Sequence, residues 1–202
     1  WVPEDSAWKS LRGSLLNLSY GYGKIYVVPH EKVDGQVQGG MCQLPFEKLP
    51  TGIMRGRFHS GDGQLYACGM FAWAGSQQQP GGFYRVRATG KPAYAPVGLE
   101  TAPRQLRVSF SDPLDRESAE KTGNWEIEAW DLKRTRNYGS RHYNQRRWQV
   151  TGVALSDDGR VVTLEVPDLM PTWGMSIRCK TRGEGGAEVV REIHNSVHNI
   201  GK

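Results

Sequence analysis

The chain has 202 residues, with 26 Lys and Arg against 21 Asp and Glu, which gives a formal net charge of +5. Its hydrophobic share of 38% and charged share of 23% are typical of a globular protein and exclude a disordered or fibrous chain. No apolar run approaches the ~18–20 residues that a membrane-spanning helix needs. The 25 Gly and 11 Pro favour short strands and turns, and the length suits one large domain or two small ones.

The first residue is Trp1 instead of Met, and no basic region followed by an apolar region marks a signal peptide. This start predicts a processed product or a piece of a longer protein. The three cysteines have no C-x-x-C spacing, so neither a zinc ribbon nor a haem attachment motif is present. Cys42 and Cys68 lie in strand-like stretches and could form a disulfide, whereas buried free thiols are the alternative.

The residue pattern of the first half predicts short strands joined by turns. Segments rich in β-branched or aromatic residues lie at 14–20, 24–29, 36–44, 54–59, 64–72 and 83–88. The Gly- and Asp-containing turns between them are typical of a meander, which builds propeller blades and sandwiches. Pro92 and Pro96 lie in a stretch without periodicity, which predicts a boundary between a domain at 1–92 and a second domain at 93–202.

The second half has its own strand pattern. Apolar and polar residues alternate at 105–110, 125–132, 148–155, 161–166, 175–181 and 187–193. Residues 112–122 begin as a turn and continue as a helix-friendly stretch, and Asp158-Gly159 predicts a hairpin. About six short strands over roughly 100 residues suit an immunoglobulin-like β-sandwich. The predicted fold class is therefore all-β.

Arg55, Arg57 and His59 form the most suggestive local site. Side chains two residues apart on a strand point to one face, so the two arginines would lie side by side near His59. Such a pair could clamp a carboxylate-bearing substrate or cofactor, because each guanidinium offers a planar fork of donors. A strand edge with solvated charges is the alternative.

A basic and aromatic stretch spans residues 133–148. Its members are Lys133, Arg134, Arg136, Arg141, Tyr143, Arg146 and Arg147. The stretch predicts either a docking or polysaccharide-binding surface or a solvated loop between two strands. Nucleic acid is disfavoured as a partner, because the surrounding half of the chain is almost charge-neutral and offers no broad basic footprint.

Histidine and tryptophan supply the remaining candidates. His194 and His198 could hold a metal if they lay on a helix, but they follow a strand pattern without an adjacent acidic ligand, so no metal is predicted. The tryptophans favour core or hairpin packing over a sugar platform. Those concerned are Trp73, Trp125, Trp130, Trp148 and Trp173. No nucleophile elbow, phosphate-binding loop or zinc-protease motif is present.

Ordered sequence runs extend over nearly the whole chain. They lie at 13–26, 35–39, 51–69 (TGIMRGRFHSGDGQLYACG) and 73–91, and then at 108–114, 124–125, 137–140, 155–159, 163–169 and 192–198. The earlier runs resemble the end of the β-propeller in large secreted proteins of the Planctomycetes and Verrucomicrobia type. Those proteins are described as haem-binding or membrane-bound dehydrogenases with a sorbosone- or glucose-dehydrogenase-like propeller. The later runs resemble the immunoglobulin-like domain that follows that propeller.

This resemblance implies a partial β-propeller of one to two blades at 1–92, followed by an immunoglobulin-like β-sandwich at 93–202. A strand of R-x-x-x-x-(S/G)-x-D-G-x-L-Y type brings an arginine to the cofactor pocket of quinoprotein sugar dehydrogenases, and residues 55–66 match it. The resemblance thus implies a cofactor-binding role for Arg55, with Arg57 as its neighbour on the same face. Arg55, Arg57 and His59 together are the predicted catalytic residues. PQQ or haem c would belong to the parent protein, with no cofactor bound by this chain alone, because a propeller needs at least about four blades to close.

Three functions follow as hypotheses. The first is a C-terminal structural and docking portion of a secreted or periplasmic dehydrogenase-like protein, not catalytic on its own and packed against the rest of the parent propeller. The second is a pair of carbohydrate-binding modules that bind polysaccharide through exposed tryptophans and the 133–148 stretch. The third is a subunit that contributes Arg55, Arg57 and His59 to a quinone- or haem-dependent oxidoreductase site completed by an N-terminal partner chain.

Overall fold

The computed structural model describes residues 1–71 and 78–202 and is all-β, with 49% strand and 5% helix. In chain order the strands are β1 (Leu16–Leu18), β2 (Ile25–Val27), β3 (His30–Val33), β4 (Gln36–Gln43), β5 (Gly52–Phe58), β6 (Leu65–Met70), β7 (Gly81–Val86), β8 (Pro96–Ala102), β9 (Gln105–Phe110), β10 (Trp125–Asp131), β11 (Tyr143–Trp148), β12 (Gly152–Leu155), β13 (Val161–Glu165), β14 (Thr172–Arg182) and β15 (Glu188–Val197). One helical turn, α1 (Arg116–Ala119), and two 3-10 turns, Lys9–Leu11 and Thr122–Asn124, complete the elements.

An eight-stranded antiparallel sheet runs through both halves of the chain. Its order is β1-β2-β4-β15-β14-β10-β11, and β3 pairs with β4 beside this path. The central pair joins β4 to β15, with Cys42 opposite Ile193 and Met41 opposite His194. Strands from before and after the predicted boundary at 90–96 therefore belong to one sheet.

The inner face of this sheet shares a core with a four-stranded sheet of order β12-β13-β9-β8. Ile127, Ile177 and Ile193 point inward from the large sheet, and Leu106 and Leu164 point toward them from the small one, all almost fully buried. Burying each such side chain contributes roughly 1.5–3 kcal/mol. The alternating pattern seen in the sequence marks these inward positions, as expected for strands buried on one face.

Polar side chains also tie the two halves together. The Glu31 carboxylate accepts hydrogen bonds from the Thr101 amide (3.1 Å) and from the Thr101 hydroxyl (2.7 Å). The Gln38 side chain donates to Glu31 (2.7 Å) and to the Asn199 carbonyl (2.8 Å), and it accepts from the His198 amide (2.8 Å). These buried or half-buried bonds link β3 and β4 to β8 and to the segment after β15, so the two halves share more than apolar contacts.

A three-stranded sheet of order β5-β6-β7 forms the third layer. Its inner face contributes Ile53, Leu65 and Ala67 to the core. Phe58 packs edge-on against Trp8, with ring centroids 5.4 Å apart. The opposite face, which carries Arg55, points to solvent.

The all-β prediction is confirmed, and none of the sheets in the described ranges closes on itself. The Asp158-Gly159 turn joins β12 to β13, and Gly159 adopts a positive φ of 71° as this hairpin requires. The helix-friendly stretch becomes α1, whose first turn is capped by the Asp115 carboxylate. The propeller and immunoglobulin-like assignments stay predictions.

Two local predictions differ from the structure. The single strand expected at 148–155 is divided, because β11 ends at Trp148 in one sheet and β12 begins at Gly152 in another. The stretch 133–148 is not a loop throughout, since its last six residues form β11.

Trp73 and part of the segment predicted at 64–72 lie outside the described residues. Among the described helical segments, none has the length and apolar character to cross a membrane.

Candidate functional site

The outward face of β15 carries a row of polar and aromatic side chains. Ile193 and Val197 point into the core, so strand alternation places His194, Ser196 and His198 on the open side of the sheet. His198 follows directly after the strand. The histidine pair noticed in the sequence therefore shares a face, although on a strand and not on a helix.

Trp130 on β10 lies against this row from two strands away. Its cross-strand partner is Gly174, where any side chain would overlap the indole, so glycine leaves the room that the ring occupies. The His142 ring stacks on the indole with centroids 4.0 Å apart and an interplanar angle of 11°. His194 meets the same indole edge-on at 6.4 Å. Trp130 is therefore only 7% exposed despite lying on the outward face.

Two further tryptophans border the same region but stay open to solvent. Trp173 is 62% exposed and Trp1 is 68% exposed. The Trp173 ring contacts His198 edge-on at 5.6 Å, and the Trp1 ring contacts His30 in the same way at 5.6 Å. The Ser196 hydroxyl donates to the Trp173 carbonyl at 2.8 Å, which fixes the backbone beneath that indole.

These side chains surround an open cavity of about 770 Å³, here called the aromatic groove. The groove is defined by its rings, which are Trp1, His30, Trp130, Trp173, His194 and His198. Among the described residues that line it, no side chain is Asp, Glu, Lys or Arg. Its chemistry is that of flat apolar rings with neighbouring hydrogen-bonding groups, which suits an uncharged ligand.

A second, polar cavity of about 810 Å³ adjoins the aromatic groove and shares Met41 and His194 with it. Its lining includes the ion pair between Arg178 Nε and Glu192 Oε1, 2.7 Å apart. Arg178 is thus matched by an acid on the neighbouring strand. The open face of the large sheet changes from polar to aromatic along the direction of its strands.

The basic stretch at 133–148 divides into a paired part and a solvated part. On β11, Arg146 pairs with Asp131 (3.2 Å) and Arg147 lies 3.8 Å from Glu126. Hydrogen bonds from the Asn144 amide and from Arg146 lower the pKa of Asp131. In the loop, the Lys133 ammonium lies 4.5 Å from the centre of the Tyr143 ring.

Three arginines of this stretch are exposed and form no ion pair within the ranges that the structure describes. They are Arg134, Arg136 and Arg141. The same loop delivers His142 onto Trp130. The stretch therefore covers one end of the aromatic groove in addition to presenting charge.

The structure brings the three predicted residues of the first half around one cavity of about 490 Å³, here called the arginine cavity. Arg55 lies opposite Cys68, which in turn lies opposite Phe83 on β7. Arg57 lies opposite Tyr66 in the next row of the same face. His59 follows the end of β5 and meets the Tyr66 ring edge-on at 5.6 Å.

Asp62 is the acidic centre of this face. Its carboxylate accepts from the Tyr66 hydroxyl (2.9 Å), lies 2.8 Å from an Arg85 nitrogen and lies 3.5 Å from His59 Nδ1. The backbone amide of Gln64 donates to it at 3.0 Å and is the main cause of its lowered pKa, with Tyr66 and Arg85 adding to the effect. Asp62 therefore neutralises the charge of Arg85. In the described part of the chain it forms no ion pair with Arg55 or Arg57 on β5.

All three cysteines are free thiols in the structure, so the alternative of a Cys42–Cys68 disulfide does not hold. Burial raises the pKa of Cys42 to about 11 and that of Cys179 to about 12. Cys68 is exposed and lines the arginine cavity. Within residues 1–71 and 78–202, no group of three or more His, Cys, Asp or Glu side chains is arranged to hold a metal ion.

The interpretation of the tryptophans as packing residues is right for some and wrong for one. Trp125, Trp130 and Trp148 are buried, whereas Trp173 is exposed at the groove. The sequence patterns do not identify Trp1 as a candidate binding residue. The i, i+2, i+4 spacing of His194, Ser196 and His198 on a strand is the sequence signal that could have revealed the groove.

Comparisons with known proteins give no information about the function of this site. The chain matches no protein-family model, no curated protein and no solved structure.

Proposed function

We propose that this chain is a non-catalytic binding module whose aromatic groove binds a neutral glycan. The observation that carries the proposal is the pair of exposed indoles, Trp1 and Trp173, beside a groove lined by no acidic or basic side chain other than histidine among the described residues. Exposed aromatic rings of this size are costly to leave in water unless they serve a ligand or a partner.

The chemistry of a sugar ring fits the two kinds of surface in the groove. A pyranose has an apolar face of C–H groups, which can stack on an indole, and an edge of hydroxyls that donate and accept hydrogen bonds. The imidazoles of His194 and His198 lie beside Trp130 and Trp173. His194 Nε2 lies 3.5 Å from Glu192 Oε1, so His198 and the other nitrogen of His194 can serve those hydroxyls. Rings held by packing, as Trp130 is by His142, keep their orientation and so reduce the entropy lost on binding.

The shape of the groove supports an oligosaccharide over a small cofactor. The groove lies open on a sheet face and adjoins the polar cavity through Met41 and His194, so a chain of several sugars could extend from one into the other. A small cofactor is usually enclosed over most of its surface. This argument favours the carbohydrate-binding hypothesis from the sequence over the one in which the chain completes an oxidoreductase site.

The wider setting is proposed on the resemblance. A secreted or periplasmic parent with a dehydrogenase-like propeller would place the glycan-binding module beside a sugar-oxidising domain, with catalysis assigned to that domain. In this proposal residues 1–92 supply the closing strands of the propeller and residues 93–202 supply the immunoglobulin-like sandwich. The packing of the four-stranded sheet on the large sheet supports a sandwich for the second part, and strands β1 to β4 of the first half extend its large sheet.

Calorimetric titration of the purified chain tests the proposed function. The probes are four neutral hexasaccharides, namely cellohexaose, xylohexaose, mannohexaose and laminarihexaose. We expect at least one to bind, and Trp173→Ala to weaken that binding at least tenfold because a stacking platform is lost (about 1.4 kcal/mol). Tyr22→Ala is the matched control, since it removes an exposed aromatic ring outside the groove.

Two results would overturn the glycan proposal. One is the absence of binding to all four hexasaccharides. The other is an equal loss of affinity in Trp173→Ala and Tyr22→Ala, which would mean that the groove is not the binding surface. Trp173 is exposed, so its truncation leaves folding intact, and circular dichroism of both variants verifies this.

A further inference from the structure

The arginine cavity holds positive charge that the described part of the protein does not neutralise. Within residues 1–71 and 78–202, neither Arg55 nor Arg57 forms an ion pair, and the one polar contact found for Arg57 is a bond from its Nη1 to the adjacent Gly56 carbonyl (3.0 Å). By contrast, Arg85 on the same face is paired with Asp62 at 2.8 Å. Two neighbouring guanidinium groups without an acid repel each other and favour an anion between them.

The spacing of the two arginines suits carboxylates. Residues two apart on a strand are roughly 7 Å apart along the chain and point the same way. Each guanidinium can hold one carboxylate through two parallel hydrogen bonds. The cavity can therefore take one carboxylate between the arginines, or two on adjacent units of a chain.

The same face already binds one carboxylate, that of Asp62. The Gln64 amide and the Tyr66 hydroxyl donate to it, and Arg85 pairs with it. Arg57 lies opposite Tyr66 on the other strand, so a ligand carboxylate there would meet the same pairing of arginine and aromatic ring. Asp62 thus serves as an internal example of what this surface binds.

The exposed aromatic side chain of the cavity favours a ligand that contains a ring. Phe83 is 73% exposed and its ring lies 5.8 Å from that of Tyr66, centroid to centroid. A flat side chain this exposed can stack on the apolar face of a sugar ring or on a base. Arg55 and Arg57 are exposed as well, so the surface is open and suits a polymer lying across it better than an enclosed small molecule.

We propose that the arginine cavity binds an acidic polysaccharide through its uronic acid units, with the carboxylates on Arg55 and Arg57 and a sugar ring on Phe83. Single-stranded nucleic acid would offer similar charges and rings. It is disfavoured because such sites follow the phosphate backbone with a longer series of cations, whereas the described lining of this cavity has two arginines and Asp62 neutralises the adjacent Arg85. The site is distinct from the aromatic groove and goes beyond the neutral-glycan function.

Cys68 offers a reporter inside the cavity. It is the exposed one of the three cysteines and lines the site next to Arg55, while Cys42 and Cys179 are buried. A neutral maleimide should therefore label the native chain at Cys68, and a bound ligand should slow that labelling. This readout does not depend on any change in heat or activity.

The experiment combines labelling with titration of the full chain. Hexagalacturonate is the acidic probe, its fully methyl-esterified form is the neutral control with the same rings, and a single-stranded DNA hexamer represents nucleic acid. We expect hexagalacturonate to bind and to slow Cys68 labelling at least fivefold, and the other two to do neither. Arg55→Ala/Arg57→Ala should weaken binding at least tenfold, while Arg182→Ala, which removes an exposed arginine outside the arginine cavity, should leave it unchanged.

Each contrary outcome overturns the uronate proposal. These outcomes are no protection by hexagalacturonate, equal protection by the methyl ester, stronger protection by DNA, or equal effects of the double variant and Arg182→Ala. Trp173→Ala should keep full affinity for hexagalacturonate. The acidic site and the neutral groove can consequently fail or succeed independently.

Discussion

The aromatic groove and the arginine cavity are two outward sheet faces built on the same plan. In each, strand alternation sends apolar side chains into the core and leaves aromatic rings on the open side. They differ in charge, because the described lining of the groove has no acidic or basic side chain besides histidine, whereas the cavity has Arg55 and Arg57 without an acid. The comparison teaches that the backbone supplies the platform, and that a few side chains decide which ligand it accepts.

Trp130→Ala should give the largest effect on stability, and its effect on ligand binding should be limited to the aromatic groove. The indole is 7% exposed, so its removal leaves a cavity under His142 and should cost about 3–5 kcal/mol of unfolding free energy. Urea unfolding measures this loss, with Trp173→Ala as the control at about 0.5 kcal/mol or less. Equal losses in the two variants would contradict the distinction between a packed and an open indole.

Neutral hexasaccharide binding should disappear in Trp130→Ala, because the stacked ring that orders the groove is gone. Hexagalacturonate binding should persist in the same variant wherever it remains folded. A parallel loss of both affinities in folded protein would mean that the two faces are coupled.

Salt concentration should change the ligand affinities of the two faces differently, and this effect should be smaller than that of Trp130→Ala. Raising NaCl from about 0.05 M to about 0.5 M screens exposed charges, so hexagalacturonate affinity should fall several-fold. Neutral hexasaccharide affinity should stay within a factor of about two, because no ion pair carries it. The same pair of titrations at both salt concentrations checks this, and a salt-sensitive neutral glycan would count against the uncharged groove.

Asp62→Asn should have the smallest effect and act on the cavity alone. The folded state lowers the pKa of Asp62 below its ordinary 3.8, so its carboxylate stabilises the native protein above that range and loses this contribution as pH falls through the lowered pKa. The variant should therefore melt slightly earlier than wild type at pH 7, and this difference should shrink as the pH falls toward 2. Removing the acid also frees Arg85, so hexagalacturonate should bind somewhat more tightly.

Melting temperatures across pH 2 to pH 7 measure that difference. Asp157→Asn, which changes an exposed acid in the β12–β13 connection, is the control and should leave the uronate affinity unchanged. A gap between Asp62→Asn and wild type that persists undiminished at pH 2 would show that the stabilisation does not come from the ionised carboxylate.

Local features of this chain follow well from its sequence. The period of two places Arg55 and Arg57 on one face, and the Asp158-Gly159 turn predicts the β12–β13 hairpin. The all-β class follows from the same short alternating segments. These features depend on neighbours within a few residues, which is the distance over which single-sequence patterns carry information.

The groove could not be predicted because it depends on pairings between distant strands. Trp130 is buried and Trp173 is exposed, although both lie on apolar strand segments. The difference arises from the irregular register between Thr172 and Met175, and from Gly174, over which the Trp130 ring lies. Neither the register nor the cover supplied by His142 is visible in local spacing.

The antiparallel pairing of β4 with β15 has a consequence for how the chain reaches its native state. A contact between such distant segments forms only after a long loop has closed, which slows folding relative to a chain of local hairpins. Until it forms, each half carries an unpaired strand edge that can recruit another molecule. Residues 93–202 expressed alone would present the β15 edge permanently, so the first half acts as an intramolecular cap against aggregation.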